Sequence, residues 1–543
     1  MLNYLREWWQ RTHFVEDVFY FGYDQKAWTL TQIMFDIGQQ VYGKFEQAQF
    51  QAMSQPAQVQ KLVADLRGAA YAVILDNLES VTGQQLAIQN TLPEAERQQI
   101  RDFIGKLVGG KTRVVLGSRS REEWLQTQTF QHNIYELQGL DKEARTELAE
   151  KILERNVAAH LVDGIRQDAD FEKLMKLLAG YPLAMEVVLT NLQRQSPQEI
   201  LQGLQGADVN LDVVSEDKTK SILKCVEYSH SNLSPDAQKL LLCLAPFSGF
   251  IFRGIIWDYI EALEKLEPLK DYCFDKLYDA IQEAINWGLL SLIDNNQNLL
   301  KIQPIFPYFL KTKLASIDET TCVALQEGFK NYYMGLAKNY EDLMASKDAQ
   351  ERQRGISFCG WEYENLYHAL KFCLQKQESI SIYFCLYQYF ELISDNQSNL
   401  KLAEMVCQKL ENYPPAFIQG ELGYQIAMTI YGLGSCQLRA KQYQQAKCSY
   451  EKILEIYPTL VGIEERQKQL WQASTYHNLG IVAQDLREYE QARRNYQLAL
   501  NIKIEYGDRY SQASTHHNLG VVAKELREYE QARRNYQLAL NIK

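Results

Sequence analysis

Hydrophobic and polar positions change their rhythm twice along the chain. In the first part, short apolar runs alternate with amphipathic stretches. FVEDVFYF (14–21) reads as a strand, and YAVILD (71–76) and TRVVLGSR (112–119) as buried strands. DQKAWTLTQIMFDIGQQV reads as a helix. RQQIRDFIGKLV is an amphipathic helix with Ile100, Phe103, Ile104, Leu107 and Val108 on one face. Strands alternating with helices predict a parallel α/β sheet. From about 141 to 410 the pattern is nearly all helical. One apolar pair, LLSLID and NLLKIQ (289–303), flanks an Asn-rich turn and predicts a β-hairpin. Helices followed by such a hairpin suggest a winged helix at about 218–311.

The end of the chain repeats itself. ASTYHNLGIVAQDLREYEQARRNYQLALNIK (473–503) recurs at 513–543 with a period of 40, and only positions 476/516, 481/521, 484/524 and 485/525 differ. Such a period means stacked helix pairs. Gly480 and Ala492 are small where two helix backbones approach. Tyr489, Ala492, Tyr496, Ala499 and Leu500 share one helical face. An earlier copy, shifted by 46, carries Leu433, Gly434, Tyr443, Ala446, Tyr450 and Pro458. These residues resemble the tetratricopeptide repeat, in its longer 40-residue form, over about 425–543. EYENLYHALKFCLQ and KLAEMVCQKLENYP read as degenerate copies.

Composition adds limits. Proline is 12 of 543 residues, which favours long helices. The length suggests three or four domains. A formal charge of −11 argues against broad nucleic-acid binding, which needs Lys and Arg to displace counterions. The ten cysteines form no CxxC pair, so neither a zinc site nor a disulfide framework is suggested, and the reducing cytoplasm is the default compartment. The N-terminus lacks a signal-peptide layout, and no apolar run is long enough to span a membrane.

The pattern GxxxxGK[ST] occurs once, from Gly105 to Thr112. A phosphate loop needs a strand before it and a helix after it. Here a helix precedes and a strand follows, so the segment reads as a glycine turn ending a helix, with Lys111 in solvent. Asp76 is the better candidate, because a carboxylate ending a buried strand stands where α/β proteins bind ligands. A strand-end aspartate that starts a turn explains it equally well. No HExxH or GxSxG motif occurs. Glu122 and Glu123 read as exposed helix charge, and the adjacent His516 and His517 as solvated or groove-lining residues.

The order of strand VVLGSR, helix, LAGYPLAMEVV and hairpin resembles the NB-ARC-type STAND signalling ATPases over roughly 1–315. The resemblance implies that Asp76 supports Mg2+, that Arg119 reads the terminal phosphate, and that Gly180 and Pro182, around Tyr181, contact adenine. Gln303 stands where the family presents a histidine to ADP. Asn77 replaces a second acid, with Glu79 further on, and an amide cannot act as a general base. The family's phosphate loop would fall immediately upstream of residue 1. The chain is therefore expected to begin within its nucleotide domain, to bind ADP or ATP weakly or not at all, and to be at most a slow ATPase.

In the repeats, His477, Asn478, Ile481 and Gln484 lie on one first helix, and His517, Asn518, Val521 and Lys524 on the next. Asparagine at these positions of the resembling family often clamps a peptide backbone, and some of these residues could instead bridge adjacent repeats. Segment 471–543 has 10 Lys/Arg and 8 Asp/Glu, a net of +2 against −13 for the rest, which favours an acidic peptide.

The expected fold is multidomain and mostly α. Its parts are a partial α/β P-loop-type nucleotide domain without its loop (1–140), a helical domain (141–215), a winged helix (216–315), a helical linker (316–420) and an α-solenoid of tetratricopeptide repeats (421–543). The expected function is a cytoplasmic, ADP/ATP-regulated signalling scaffold, able to form homo-oligomers, with protein ligands in the repeat groove. A pure interaction protein with a relic nucleotide domain is the alternative.

Overall fold

β-branched and aromatic residues concentrate in three short runs, and each becomes a strand of one parallel sheet. β1 spans Val18–Gly22, β2 Ala72–Asp76 and β3 Arg113–Leu116, in the order β1-β2-β3. Gly22 pairs with Asp76, and Leu75 with Leu116. The apolar residues of β2 are buried and only Asp76 reaches partial exposure. Trp9, from the helix Leu2–Arg11, packs with Val15, Val18, Ala72 and Ile74. The helix expected from Asp24 starts later, at Leu30. Its start is set by a reciprocal cap. The Thr29 N–H donates to Gln32 Oε1 at 3.2 Å and the Gln32 N–H to Thr29 Oγ1 at 3.3 Å.

The structure, a computed structural model, describes residues 2–24, 26–83, 90–118, 122–125, 133–135, 139–156, 159–206, 215–248, 250–252, 254, 256–293, 296–302, 305–414, 416–417 and 422–542. They divide into two compact units. One comprises Met1–Ile33, Val59–Gly335 and Trp361–Asn365, the other Met34–Gln58, Leu336–Gly360 and Leu366–Lys543. The chain is mostly helical.

Within the first unit, helices between Lys142 and Ser231 close around Ile152, Leu174, Met185, Val188, Ile200 and Cys225. Next comes an antiparallel sheet of β4 (Phe250–Phe252), β5 (Leu290–Ile293) and β6 (Asn296–Ile302), in the order β4-β6-β5. The hairpin expected at 289–303 is the β5–β6 pair, with Leu290 opposite Ile302. Its third strand, β4, is too short for a visible alternation and was not expected. All ten cysteines are free thiols, and Cys225, Cys243 and Cys373 are buried.

The second unit ends in three antiparallel helix pairs: α1 (Gly423–Arg439) with α2 (Tyr443–Ile456), α3 (Glu465–Asp485) with α4 (Tyr489–Glu505), and α5 (Arg509–Glu525) with α6 (Tyr529–Ile542). In each pair a tyrosine ring of the second helix lies on a glycine of the first. A Cβ on Gly434 would sit 2.8 Å from the Tyr450 ring, one on Gly480 2.5 Å from Tyr496, and one on Gly520 2.6 Å from Tyr536. The glycines are therefore required by an aromatic ring, a sharper reason than backbone approach alone. Tyr496 is fully buried, whereas Tyr536 is half-buried and has room to move.

Overpacking a filled site costs about 1–3 kcal/mol. Gly480→Ala is expected to lower stability by that order, and Gly520→Ala by clearly less. Thermal unfolding of the two variants checks this; equal losses would contradict it.

Candidate functional sites

In the first unit, Asp76 stands at the carboxyl edge of the parallel sheet. Tyr20 Oη donates to its Oδ2 at 2.8 Å, and the Asn77 N–H donates to its Oδ1 at 2.9 Å. A Cβ on Gly117 would come 2.3 Å from Oδ1, so that glycine leaves the carboxylate its space. Burial, then the adjacent Asp76 charge, push the Tyr20 pKa upward, so its hydroxyl remains a donor. Asn77 has φ 57°, the left-handed region that asparagine tolerates best among residues with side chains. An amide at this position thus suits the turn of the chain.

Glu79 is buried beside this edge. Ser118 Oγ lies 3.3 Å from Glu79 Oε2 and 2.7 Å from Glu122 Oε1, and Trp124 Nε1 donates to Glu122 Oε2 at 3.1 Å. Glu122 is buried, contrary to the expected exposed pair, and only Glu123 is exposed. Neighbouring hydroxyl and indole donors make that burial tolerable. Tyr20, Ser118 and Trp124 were missed from sequence. For Ser118 and Trp124 the available signal was a donor within four residues of Glu122, whereas Tyr20 lies 56 residues from Asp76 and had no local signal.

Arg119 and Gln303 lie outside the described residues. Gly180 has φ 73°, its carbonyl accepts from the Leu140 N–H at 2.8 Å, and a Cβ there would meet the Leu140 carbonyl at 2.4 Å. Pro182 is exposed and begins the helix Pro182–Leu189. Both residues therefore have full structural explanations. In the Gly105–Thr112 segment, the helix Glu94–Leu107 precedes and β3 follows. The Lys111 N–H donates to the Arg67 carbonyl at 3.1 Å, and Lys111 is exposed. This loop is a helix-ending turn, as its context predicts. Among the described residues, no three His, Cys, Asp or Glu side chains converge on a metal position. Each Asp76 oxygen already accepts a hydrogen bond from the chain itself, and its geometry alone singles out neither ADP, ATP nor Mg2+.

The repeat residues divide between bridging positions and exposed ones. Asn478 Nδ2 donates to Tyr431 Oη at 3.0 Å and Tyr450 Oη at 3.2 Å. Asn518 Nδ2 lies 3.4 Å from His477 Nε2. Tyr431 and Tyr450 precede His477 and Tyr496 by the same 46 residues, so each asparagine reaches the same place in the preceding pair. His477 Nδ1 lies 3.1 Å from Thr515 Oγ1, which also accepts from the buried Lys503 Nζ at 2.9 Å. Gln484 accepts from Tyr496 Oη at 3.1 Å. His477, Asn478, Gln484 and Asn518 thus join helices of the solenoid, the bridging role that the sequence left open beside the peptide clamp. The reason is the half-buried seam on which they sit, where each polar group needs a partner. His517 and Lys524 are exposed. His516 is buried, its Nδ1 3.3 Å from Asn535 Oδ1. It floors a groove of about 1060 Å3 between α4 and α6, rimmed by Arg493, Arg527 and Glu528.

The tetratricopeptide repeat family model matches residues 471–543. The chain carries tetratricopeptide repeats. Among solved structures, a signal transduction ATPase with numerous domains and a tetratricopeptide repeat sensor, from Pyrococcus horikoshii, is 12% identical, with 97% of this chain and 89% of that one covered and a TM-score of 0.31. BtubC from P. vanneervenii is 17% identical, covering 40% and 90%, with a TM-score of 0.29. MamA from Desulfovibrio magneticus RS-1 is 16% identical, covering 39% and 94%, at 0.27. No curated protein matches the chain. No helix among the described residues is long and apolar enough to cross a membrane.

Losing a buried hydrogen-bonding partner costs about 1–3 kcal/mol. Asn478→Ala is expected to destabilise by that order, since two tyrosine hydroxyls lose their donor; an unchanged melting temperature would contradict the link. A pH effect follows as well. Burial, then the Lys503 charge, hold His477 down at about 4, below its ordinary 6.5. The folded chain therefore resists its protonation. The His477 contribution is whole above about 6.5 and is lost as pH falls toward 4. Native protein should lose melting temperature across this window more steeply than His477→Gln; parallel curves would refute it.

Proposed function

We propose that the chain is a protein-interaction scaffold, with its tetratricopeptide repeats as the binding part. The observation that carries this reading is the array of three helix pairs, the last two of which fall in the stretch 471–543 that the repeat family matches. Stacked pairs of this kind expose long binding surfaces. The net positive balance of that segment favours an acidic peptide, and His517 and Lys524 are the recognition residues that remain exposed. The working compartment is the cytoplasm, and self-association of the scaffold belongs to the same proposal.

A second reading is favoured by the position of Asp76 at the carboxyl edge of a parallel sheet. In it the first 140 residues form a nucleotide domain, followed by a helical domain to 215 and a winged helix to 315. ADP or ATP would then bias a two-state domain motion, with Arg119, Gly180, Pro182 and Gln303 at the nucleotide. The departures at Asn77 and Gln303, and the self-satisfied Asp76, place this reading second.

Two measurements separate these readings. Acidic peptides screened against the chain should include binders that His517→Ala with Lys524→Ala weakens at unchanged melting temperature. A library without such binders defeats the groove assignment. Calorimetry with Mg2+ and ADP or ATP should show no sub-micromolar binding. Tight binding reduced by Asp76→Asn would promote the nucleotide-regulated reading over the first.

A further inference from the structure

Cys359 lies in the helix Ala349–Trp361 and Cys385 in the helix Ser381–Ile393, and both are fully buried. Their Sγ atoms stand 3.9 Å apart. Gly360 lets the two helices approach at this turn. A Cβ there would come 3.0 Å from Oη of Tyr389, which lies one helical turn beyond Cys385. Burial of each cysteine has an ordinary explanation, since cysteine behaves as a small apolar side chain. That explanation does not require two thiols to be each other's neighbours. Both are free thiols. A disulfide holds its sulfurs at about 2.05 Å, so closure asks for an approach of roughly 2 Å. Side-chain rotation and a small helix shift reach that far.

We propose that Cys359 and Cys385 form a peroxide-sensitive dithiol, which oxidation converts into a disulfide that staples the two helices. One sulfur, as its thiolate, attacks a peroxide oxygen. The O–O bond breaks, hydroxide leaves, and a sulfenic acid forms. The second sulfur then attacks the sulfenic sulfur, the S–O bond breaks, and the oxygen leaves as water. Overall two thiols lose two electrons and two protons, and one hydrogen peroxide becomes two water molecules. The adjacent thiol captures the sulfenic acid before it oxidises further. Burial sets the conditions. The reaction waits on local opening of the helices, and a small oxidant enters before a bulky thiol does. Under reducing conditions the pair stays as thiols, and once oxidised it is slow to return. The bond would join residues 26 apart and restrict the unfolded chain, so oxidation stabilises the fold. The proposal is independent of what the repeats bind.

The test uses the full chain, reduced and then exposed to hydrogen peroxide. After peroxide removal the remaining thiols are alkylated in denaturant, and tryptic peptides are compared by mass spectrometry with and without reductant. The peptides 355–371 and 377–401 each hold one cysteine of the pair. They should appear cross-linked, and reductant should separate them. The oxidised chain should melt several degrees higher, and reductant should reverse the rise. Cys359→Ala or Cys385→Ala should abolish both effects, while the exposed Cys273 and Cys448 still oxidise and report that peroxide reached the protein. The cross-link in the unchanged sequence decides the matter even where a variant folds poorly. Cys359 and Cys385 remaining as thiols while Cys273 and Cys448 oxidise would overturn the proposal. Separate sulfinic acids at the pair, or a melting temperature unmoved by a complete cross-link, would overturn it too.

Discussion

The solenoid depends on one contact, a tyrosine ring packed against a glycine on the neighbouring helix. It occurs at Gly434 with Tyr450, Gly480 with Tyr496 and Gly520 with Tyr536. The ring fills the volume a side chain would need, and it fixes how closely the two helices approach. It also carries its hydroxyl to the edge of the pair. That edge is where the next repeat arrives, so Tyr450 can receive Asn478 of the following pair, while Tyr496 donates to Gln484 of its own pair. Packing within a pair and linkage between pairs therefore share one residue. A change at the glycine displaces both.

Much of this was legible in the sequence. The period of 40, the small residues and the apolar face of Tyr489, Ala492, Tyr496 and Leu500 were sufficient to indicate paired helices, because helical periodicity and repetition are local signals. The three parallel strands were readable for the same reason. What could not be read was the destination of polar side chains. For Asn478 and Asn518 clamp and bridge could not be told apart, because their partners, Tyr431 and His477, lie 47 and 41 residues away and meet them only after stacking. Glu122 looked exposed because its donors act through a tight turn. The short β4 strand pairs with β6 across a separation of nearly 50 residues, and three residues carry too little pattern to announce that.

The sheet edge shows the complementary lesson. Each candidate among the described residues, at that edge or beyond it, has a sufficient structural reason. Asp76 accepts from Tyr20 and Asn77, Gly180 permits the crossing with Leu140, and Pro182 opens a helix. A residue that matches a motif and also satisfies its own backbone carries little functional information by itself. Function there would need groups that converge on a common point, and convergence is a property of space that motif order does not supply.

The first repeat interval is 46 residues and the second 40, yet Asn478 and Asn518 meet equivalent partners. The six additional residues are taken up between α2 and α3, around Tyr457–Thr459 and the left-handed Gly462, without moving the seam. Spacing in the connecting loops is thus mechanically decoupled from the joint between pairs. An array built in this way can change its length by whole units. Since 473–503 and 513–543 are nearly the same sequence, gene segments encoding them could exchange out of step, adding or deleting one unit while every remaining joint stays intact.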